Sequence, residues 1–279
     1  MWVKRREIEK LSADIRRIID GQSPDLRDNL EGRLSILKND IHSLAGCLNE
    51  QAGNLLREKS AMADTLTDIS HQLKTPLTAM MVMAELLENA TPEKAAEFIL
   101  NLKQCLARTG WLVNALLKMA KLESGSVVFS PGEITAGELF EVALQPLQIL
   151  FDIKSQRVVW AGGENGAARG AGLLCDRHWT AEALTNILKN ASEHSPEGGV
   201  ITVDAGANPL CRWISVTDGG RGIPYGEMMG LFQRFKGAQG TGVGLPLALA
   251  ILRGQHGDIE VDGGGGGKGA TFTLKFFLH

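Results

Sequence analysis

Residues 68–77 read D-I-S-H-Q-L-K-T-P-L. They extend a rhythm in which Met62, Leu66, Ile69 and Leu73 recur at steps of three and four, the spacing of one face of an α-helix. His71 stands two residues from both Ile69 and Leu73, about 200° round the helical wheel from each, so it is predicted to face outward. Pro76 lacks the N–H that would bond the carbonyl of Gln72, and the helix is expected to loosen or bend one turn below the histidine. Such an interruption costs about 3 kcal/mol in an ordinary helix. A function that needs a reshaped or mobile segment is the expected compensation. An outward histidine by itself is an ordinary surface residue, so its surroundings must decide.

Upstream, Ile8, Leu11, Ile15 and Ile18 form one apolar series. After the turn G-Q-S-P-D a second series runs Leu34, Leu37, Ile41, Leu44, Leu48, the seam of a coiled coil or of paired helices. Gly46 and Gly53 blur the register before it resumes at Met62, which predicts one long, imperfect helix. Downstream, N-A-T-P (89–92) breaks the pattern, with Pro92 suited to a helix's first position. Phe98, Leu102, Cys105, Leu112, Leu116 and Met119 then form another stripe that stops near Gly125. Two such helices make an antiparallel hairpin. Each apolar face is too wide for one partner, so a homodimeric four-helix bundle is expected.

Only six of the 33 glycines precede residue 130, and the chemistry changes there from helical to loop-rich. The segment from Ile134 to Leu147 reads as a helix. Arg157–Ala161 and Ala171–Asp176 read as short strands flanking a glycine-rich turn. A helix over His178–Ala191 is followed by alternating strands at Gly199–Ala205 and Arg212–Asp218. Pro246–Gly257 reads as a helix with a glycine stop, and Asp258–Asp262 with Ala270–Leu278 as a closing hairpin. Helices interleaved with strands predict a layered α/β sandwich. The expected organisation is 1–59 N-terminal helices, 60–127 a helical hairpin, and 132–279 the sandwich.

The net charge is −3, and with no long basic face the sequence carries no electrostatic footprint for nucleic acid. Cys47, Cys105, Cys175 and Cys211 lie far apart with no C-x-x-C pair, which suggests neither a zinc knuckle nor a disulfide framework and fits a reducing cytoplasm. No run of about 18 apolar residues is present. The opening M-W-V-K-R-R reads equally as the cytoplasmic flank of an upstream membrane anchor or as a charged helix start.

The stretch H-Q-L-K-T-P-L resembles the phosphoacceptor box of sensor histidine kinases, which His71, Lys74, Thr75, Pro76 and Leu77 match. Gln72 departs from it, standing where the family commonly carries an acid that helps deprotonate the histidine. A neutral amide orients the ring but takes no proton, which implies slower or differently tuned chemistry. A histidine acceptor needs a nucleotide site. Asn186 and Asn190, four apart on one helix face, offer neutral oxygens suited to Mg2+ held mostly by a triphosphate, and Lys189 lies between them. In V-T-D-G-G-R-G-I-P, Asp218 ends a strand ahead of Gly220, Gly222 and Ile223, where a carboxylate can accept from an adenine amino group. G-T-G-V-G-L (Gly240, Thr241, Gly242, Val243, Gly244, Leu245) opens a helix whose free N–H groups face an anion. G-K-G-A-T-F (267–272) turns into the last strand and includes Thr271.

A Rossmann reading of the 240–245 run fails, because its spacing is G-x-G-x-G and no strand directly precedes it. In order, the four stretches resemble the N box and three glycine boxes of the gyrase-type ATPases. L-F-Q-R-F, with Phe232 and Phe235, resembles the phenylalanine box of the histidine kinase branch. Gly219 replaces the usual Asn, Glu193 stands where many members carry Lys, the lid before Gly240 is short, and glycines fill 263–267. The resemblance spans roughly 60–279. It implies that ATP binds with Mg2+ at Asn190, that His71 is phosphorylated, and that the phosphoryl group passes to an aspartate of a response regulator receiver domain. It further implies that Thr75 orients water for regulator dephosphorylation. Residues 21–50 weakly resemble a HAMP-type relay pair, a plain coiled coil being the alternative. A non-catalytic nucleotide-binding dimeric scaffold, or a phosphatase-dominant regulator, is the rival reading.

Overall fold

One helix, α1 (Arg33–Leu87), carries the quoted stretch without interruption. The computed structural model describes residues 12–13, 15–17, 33–161, 167–235, 242–264 and 269–278. Two compact units divide the chain, Met1–Ile69 and Ser70–His279. In the first, residues 12–13 and 15–17 are helical and the remainder of what is described belongs to α1. Ile8, Leu11, Ile18 and the turn at 21–25 lie outside the described residues. Ile36, Leu44, Leu48, Leu55 and Met62 are exposed along this part of α1.

The second unit starts with the lower part of α1. A turn at 88–91 leads to α2 (Pro92–Glu123), with Pro92 at its first position as the sequence predicts. Its N-terminal turn closes through the Ala95 N–H donating to the Thr91 carbonyl at 2.8 Å. Met80 of α1 and Leu112, Ala115 and Met119 of α2 are buried, while Leu77, Met81, Leu106 and Leu117 stay exposed. Gly125 ends α2 with a φ of +65°, a left-handed conformation that glycine adopts freely.

The predicted helix from Ile134 is corrected at its start. Gly132–Thr135 form strand β1, paired antiparallel with β3 (Gly172–Cys175), with Ile134 opposite Leu173. Helix α3 (Ala136–Leu144) begins two residues after the predicted start, because Thr135 caps it. Thr135 Oγ1 accepts from the Glu138 N–H at 3.2 Å, and the Glu138 carboxylate accepts from the Thr135 N–H at 3.0 Å. Pro146 sits in a tight turn (145–147) ahead of α4 (Gln148–Ile153).

A five-stranded sheet of order β2-β4-β5-β7-β6 is the second layer. Its strands are β2 (Arg157–Trp160), β4 (Val200–Ala207), β5 (Cys211–Thr217), β6 (Gly257–Asp262) and β7 (Thr271–Phe277). Only the β2–β4 pair is parallel. Period-two alternation places Ile201, Val203 and Ala205 of β4 inward. They meet α5 (Arg177–His194) and α7 (Gly244–Gly254) in one core that includes Leu184, Ile187, Leu188, Leu247, Ile251 and Phe272. A short helix α6 (Tyr225–Met228) follows the first glycine run. The two strands flanking the glycine-rich turn, β2 and β3, belong to different sheets.

The glycine stop of α7 is also corrected. Gly254 is the last helical residue, and His256, not a glycine, takes the left-handed φ of 58°. Gly254 serves close approach instead: a Cβ there would stand 2.8 Å from the Phe129 ring. Among the described residues no helix is long and apolar enough to cross a membrane.

Candidate functional site

His71 is exposed on α1, as its place off the apolar stripe predicts. The helix runs through Pro76, and the Thr75 hydroxyl donates to the His71 carbonyl at 3.2 Å across the turn the proline weakens. Between α1 and α2 lies a groove of about 680 Å³, lined by His71, Lys74, Thr75, Val82, Met83 and Phe98.

A second constellation is built by α5, the β5 end and the N-terminus of α7. Asn186 is buried, and its Nδ2 donates to the Glu182 carbonyl at 3.0 Å. Its Oδ1 is turned toward α7, within 3.2 Å of where a Gly244 Cβ would stand. A side chain at Gly244 would press on this amide and require it to give by a few tenths of an ångström. Asn190, one turn on, is half-buried. Asn190 is the accessible amide of the pair, and a single neutral oxygen of this kind fits a magnesium ion whose other ligands are phosphate and water.

Asp218 is buried, and its Oδ1 accepts two backbone N–H groups, Gly220 at 2.8 Å and Ala270 at 3.1 Å. The first and third glycine stretches thus meet on one carboxylate. Gly222 has a φ of +78°, and a Cβ there would stand 2.4 Å from the Gly263 carbonyl. The Ile223 N–H donates to that same carbonyl at 2.9 Å. Thr271 shares a 2.9 Å hydrogen bond with Thr217 across the strand pair.

In the second glycine stretch, Gly242 has a φ of +65° and packs on the Phe235 backbone. Phe235 takes a φ of 60°, and its N–H donates to the Gly242 carbonyl at 2.9 Å. A bulky residue in this region is strained, and Phe232 and Phe235 pack partly buried on the core to hold it. Val243 and Leu245 turn their side chains to the core, so only their backbone faces the turn. Gly240 and Thr241 lie outside the described residues.

Lys189 is engaged elsewhere. Its ammonium sits 4.4 Å from the centroid of Trp111 on α2 and 3.9 Å from Glu193. Lys118 of α2 pairs with Glu182 at 2.7 Å, and Arg234 pairs with Glu123. Burial pulls the Arg234 pKa below its ordinary value. The segment between α2 and β1, residues 124–131, is pinned at its far end: Phe129 stacks edge-on against Trp179 at 6.0 Å, and the Ser130 N–H donates to Asp176 at 2.9 Å. Sequence patterning flagged neither Trp111, Lys118, Arg234 nor the Ala270 N–H, because each acts through a partner distant in the chain.

Two family models match this framework. The His Kinase A (phospho-acceptor) domain covers residues 61–125, and the Histidine kinase-, DNA gyrase B-, and HSP90-like ATPase covers residues 175–279. The chain belongs to the two-component sensor histidine kinases.

Among its histidine kinase relatives, the sensor histidine kinase WalK of Bacillus subtilis is 31% identical over 225 residues, 76% of this chain and 36% of WalK. The signal transduction histidine-protein kinase BaeS of Escherichia coli is 22% identical over 258 residues, 89% of this chain and 54% of BaeS. The chain spans about a third to a half of these curated relatives. In fold it is similar to the histidine kinase AdeS of Acinetobacter baumannii, with a TM-score of 0.61 and 19% identity over 75% of this chain and 98% of that one. It is also similar to histidine kinase ThkA, solved in complex with response regulator protein TrrA. That likeness has a TM-score of 0.66 and 18% identity over 83% of this chain and 66% of that one. The expected fold class, a long helical hairpin followed by an α/β sandwich ATPase domain, is borne out.

Proposed function

We propose that this chain is the kinase core of a two-component sensor, which phosphorylates His71 from ATP and passes the phosphoryl group to an aspartate of a response regulator receiver domain. The reading rests above all on the joining of the first and third glycine stretches at the buried Asp218, in a chain that also carries an outward histidine on a helical hairpin. In this reading Asp218 accepts from the adenine amino group, and Gly220, Gly222 and Ile223 bring backbone to the base and sugar. Phosphates lie at the N-terminus of α7 (Gly240 to Leu245), with Thr271 at the rim and Lys189 reaching them once it leaves Trp111. Asn190, with Asn186 behind it, would hold Mg2+, which neutralises phosphate charge. Phosphoryl transfer asks chiefly for positioning. An imidazole nitrogen of His71 forms the new N–P bond as the bond to the bridging oxygen of ADP breaks, and the ring proton leaves to solvent. Gln72 orients the ring, and Thr75 orients water for regulator dephosphorylation.

The domain assignment 1–59, 60–127 and 132–279 belongs to the same reading, with Gly125 as pivot and 129–130 as anchor. Exposed Leu77, Met81, Leu106 and Leu117 support a homodimeric bundle, and an ATP-fed kinase of this kind acts in the cytoplasm. The test is incubation with Mg2+ and γ-labelled ATP. Acid-labile, base-stable label on the wild type, lost in His71→Ala and strongly reduced in Asp218→Ala, is the expected result. ATP binding without label would favour the non-catalytic scaffold.

A further inference from the structure

Asp218 reads the base only if its loop is held at a fixed distance from the asparagine helix, and the described structure contains a device that does this. The chain leaves α5 at Ser195, whose backbone N–H still closes on the Ala191 carbonyl at 3.0 Å. The last carbonyls of a helix lack partners within it. Here Gln156, the residue just before β2 and only 6% exposed, serves the last turn of α5 and the two residues beyond the helix, with Lys154 sharing the Ser192 carbonyl. Its Nε2 donates to the carbonyls of Ser192, Ser195 and Pro196 at 3.0, 3.1 and 3.1 Å. Its Oε1 accepts from the Ser192 hydroxyl at 2.6 Å.

Ser195, itself 7% exposed, then reaches across to the first glycine stretch: its Oγ accepts from the Gly219 N–H at 3.0 Å. Next to it, Gly220 lies so close to the His194 carbonyl that a Cβ would stand 2.5 Å away. The Gly220 N–H in turn donates to Asp218 Oδ1. Hydrogen bonds linked through the covalent frame of Ser195 and of the 219–220 peptide therefore connect Gln156 to the base-reading carboxylate. Gly219 occupies the position where the family commonly carries an Asn side chain, and here its backbone N–H takes up the Ser195 hydroxyl.

We infer that Gln156 and Ser195 are positioning residues for nucleotide selection, setting where Asp218 meets the base and so the preference for an adenine over a guanine nucleotide. This inference rests on the assignment of Asp218 to the base. Ser195 never touches nucleotide; it acts through the Gly219 N–H. Removing its hydroxyl takes away the partner of the Gly219 N–H, a part-buried hydrogen bond, and lets the 218–220 loop drift, while the phosphate end at α7 keeps its own contacts.

The experiment is equilibrium binding of MgATP and MgGTP, by calorimetry and competition, to the wild type and to Ser195→Ala, Ser195→Thr and Gln156→Leu. We expect Ser195→Ala to weaken ATP by about fivefold to tenfold, the size expected for one lost hydrogen bond, with GTP nearly unchanged. The ATP:GTP ratio thus falls, Ser195→Thr restores it, and a folded Gln156→Leu repeats the fall. An unchanged ratio in Ser195→Ala, or an equal loss of both nucleotides, overturns the inference. Should Gln156→Leu fail to fold, the Ser195 pair still decides. A wild type that binds neither nucleotide, or both alike, overturns the base-reading assignment itself and is thereby told apart.

Discussion

Gln72 is the residue that most changes the expected chemistry. It follows an exposed His71 on an unbroken helix, and an amide at this place can hold the ring without accepting its proton. Gln72→Glu is expected to raise the initial rate of His71 labelling by about tenfold or more, toward the low end of what a positioned general base contributes. Rapid-quench autophosphorylation measures it, and an unchanged rate would show that proton removal is not limiting. Cys175 supplies a prediction about stability. Burial pushes its thiol from 9.0 up to about 11, partly opposed by a hydrogen bond with Thr180. The folded thiol thus keeps its proton where the unfolded one loses it. Its contribution is complete below pH 9 and is lost as pH rises toward 11. Urea unfolding at pH 8 and pH 10 should show a smaller alkaline loss in Cys175→Ala than in the wild type.

Glycines do different work in different elements. Gly125 ends a helix by its left-handed φ, whereas Gly254 is needed because a ring approaches its backbone. Gly222 meets both demands, with a φ of +78° and the Gly263 carbonyl where a Cβ would go. Gly222→Ala is therefore expected to cost about 1–3 kcal/mol and to lower the melting temperature. It should also weaken ATP, since Ile223 is bonded to that same carbonyl. Differential scanning calorimetry with and without MgATP separates the two effects. Secondary structure was readable wherever a period ran long enough, as in α1, α2, α5 and the alternating β4. It was misread at Ile134, because a four-residue strand has too little period to be told from a helix start. Its pairing with β3 is a fact about residues far along the chain.

At the scale of the whole second unit, the sandwich is docked on α2 by Lys189 over Trp111, Lys118 with Glu182, and Arg234 with Glu123. Lys189 is also the lysine proposed above to reach the phosphates, so in that reading docking and phosphate contact compete for it. A cation over a half-exposed indole is worth about 0.5–1 kcal/mol. Trp111→Ala is thus expected to tighten ATP by about twofold to fivefold and to raise the labelling rate to a similar degree. Weaker labelling would mean instead that the docked arrangement is the productive one. The Lys118–Glu182 pair is partly exposed, so it adds less than about 1 kcal/mol and fades with salt.

The helical hairpin, the outward histidine, the glycine turns and the asparagine helix were all determined by the sequence alone, because local periodicity and single-residue stereochemistry carry that information. Which glycine stretches meet at Asp218, what holds Ser195 against Gly219, and where the Lys189 ammonium rests were decided only by the tertiary structure. Those contacts join backbone and side-chain groups from separate segments. A backbone N–H or carbonyl is the same at almost every residue, so its partner is fixed by packing and leaves no mark in the residue string.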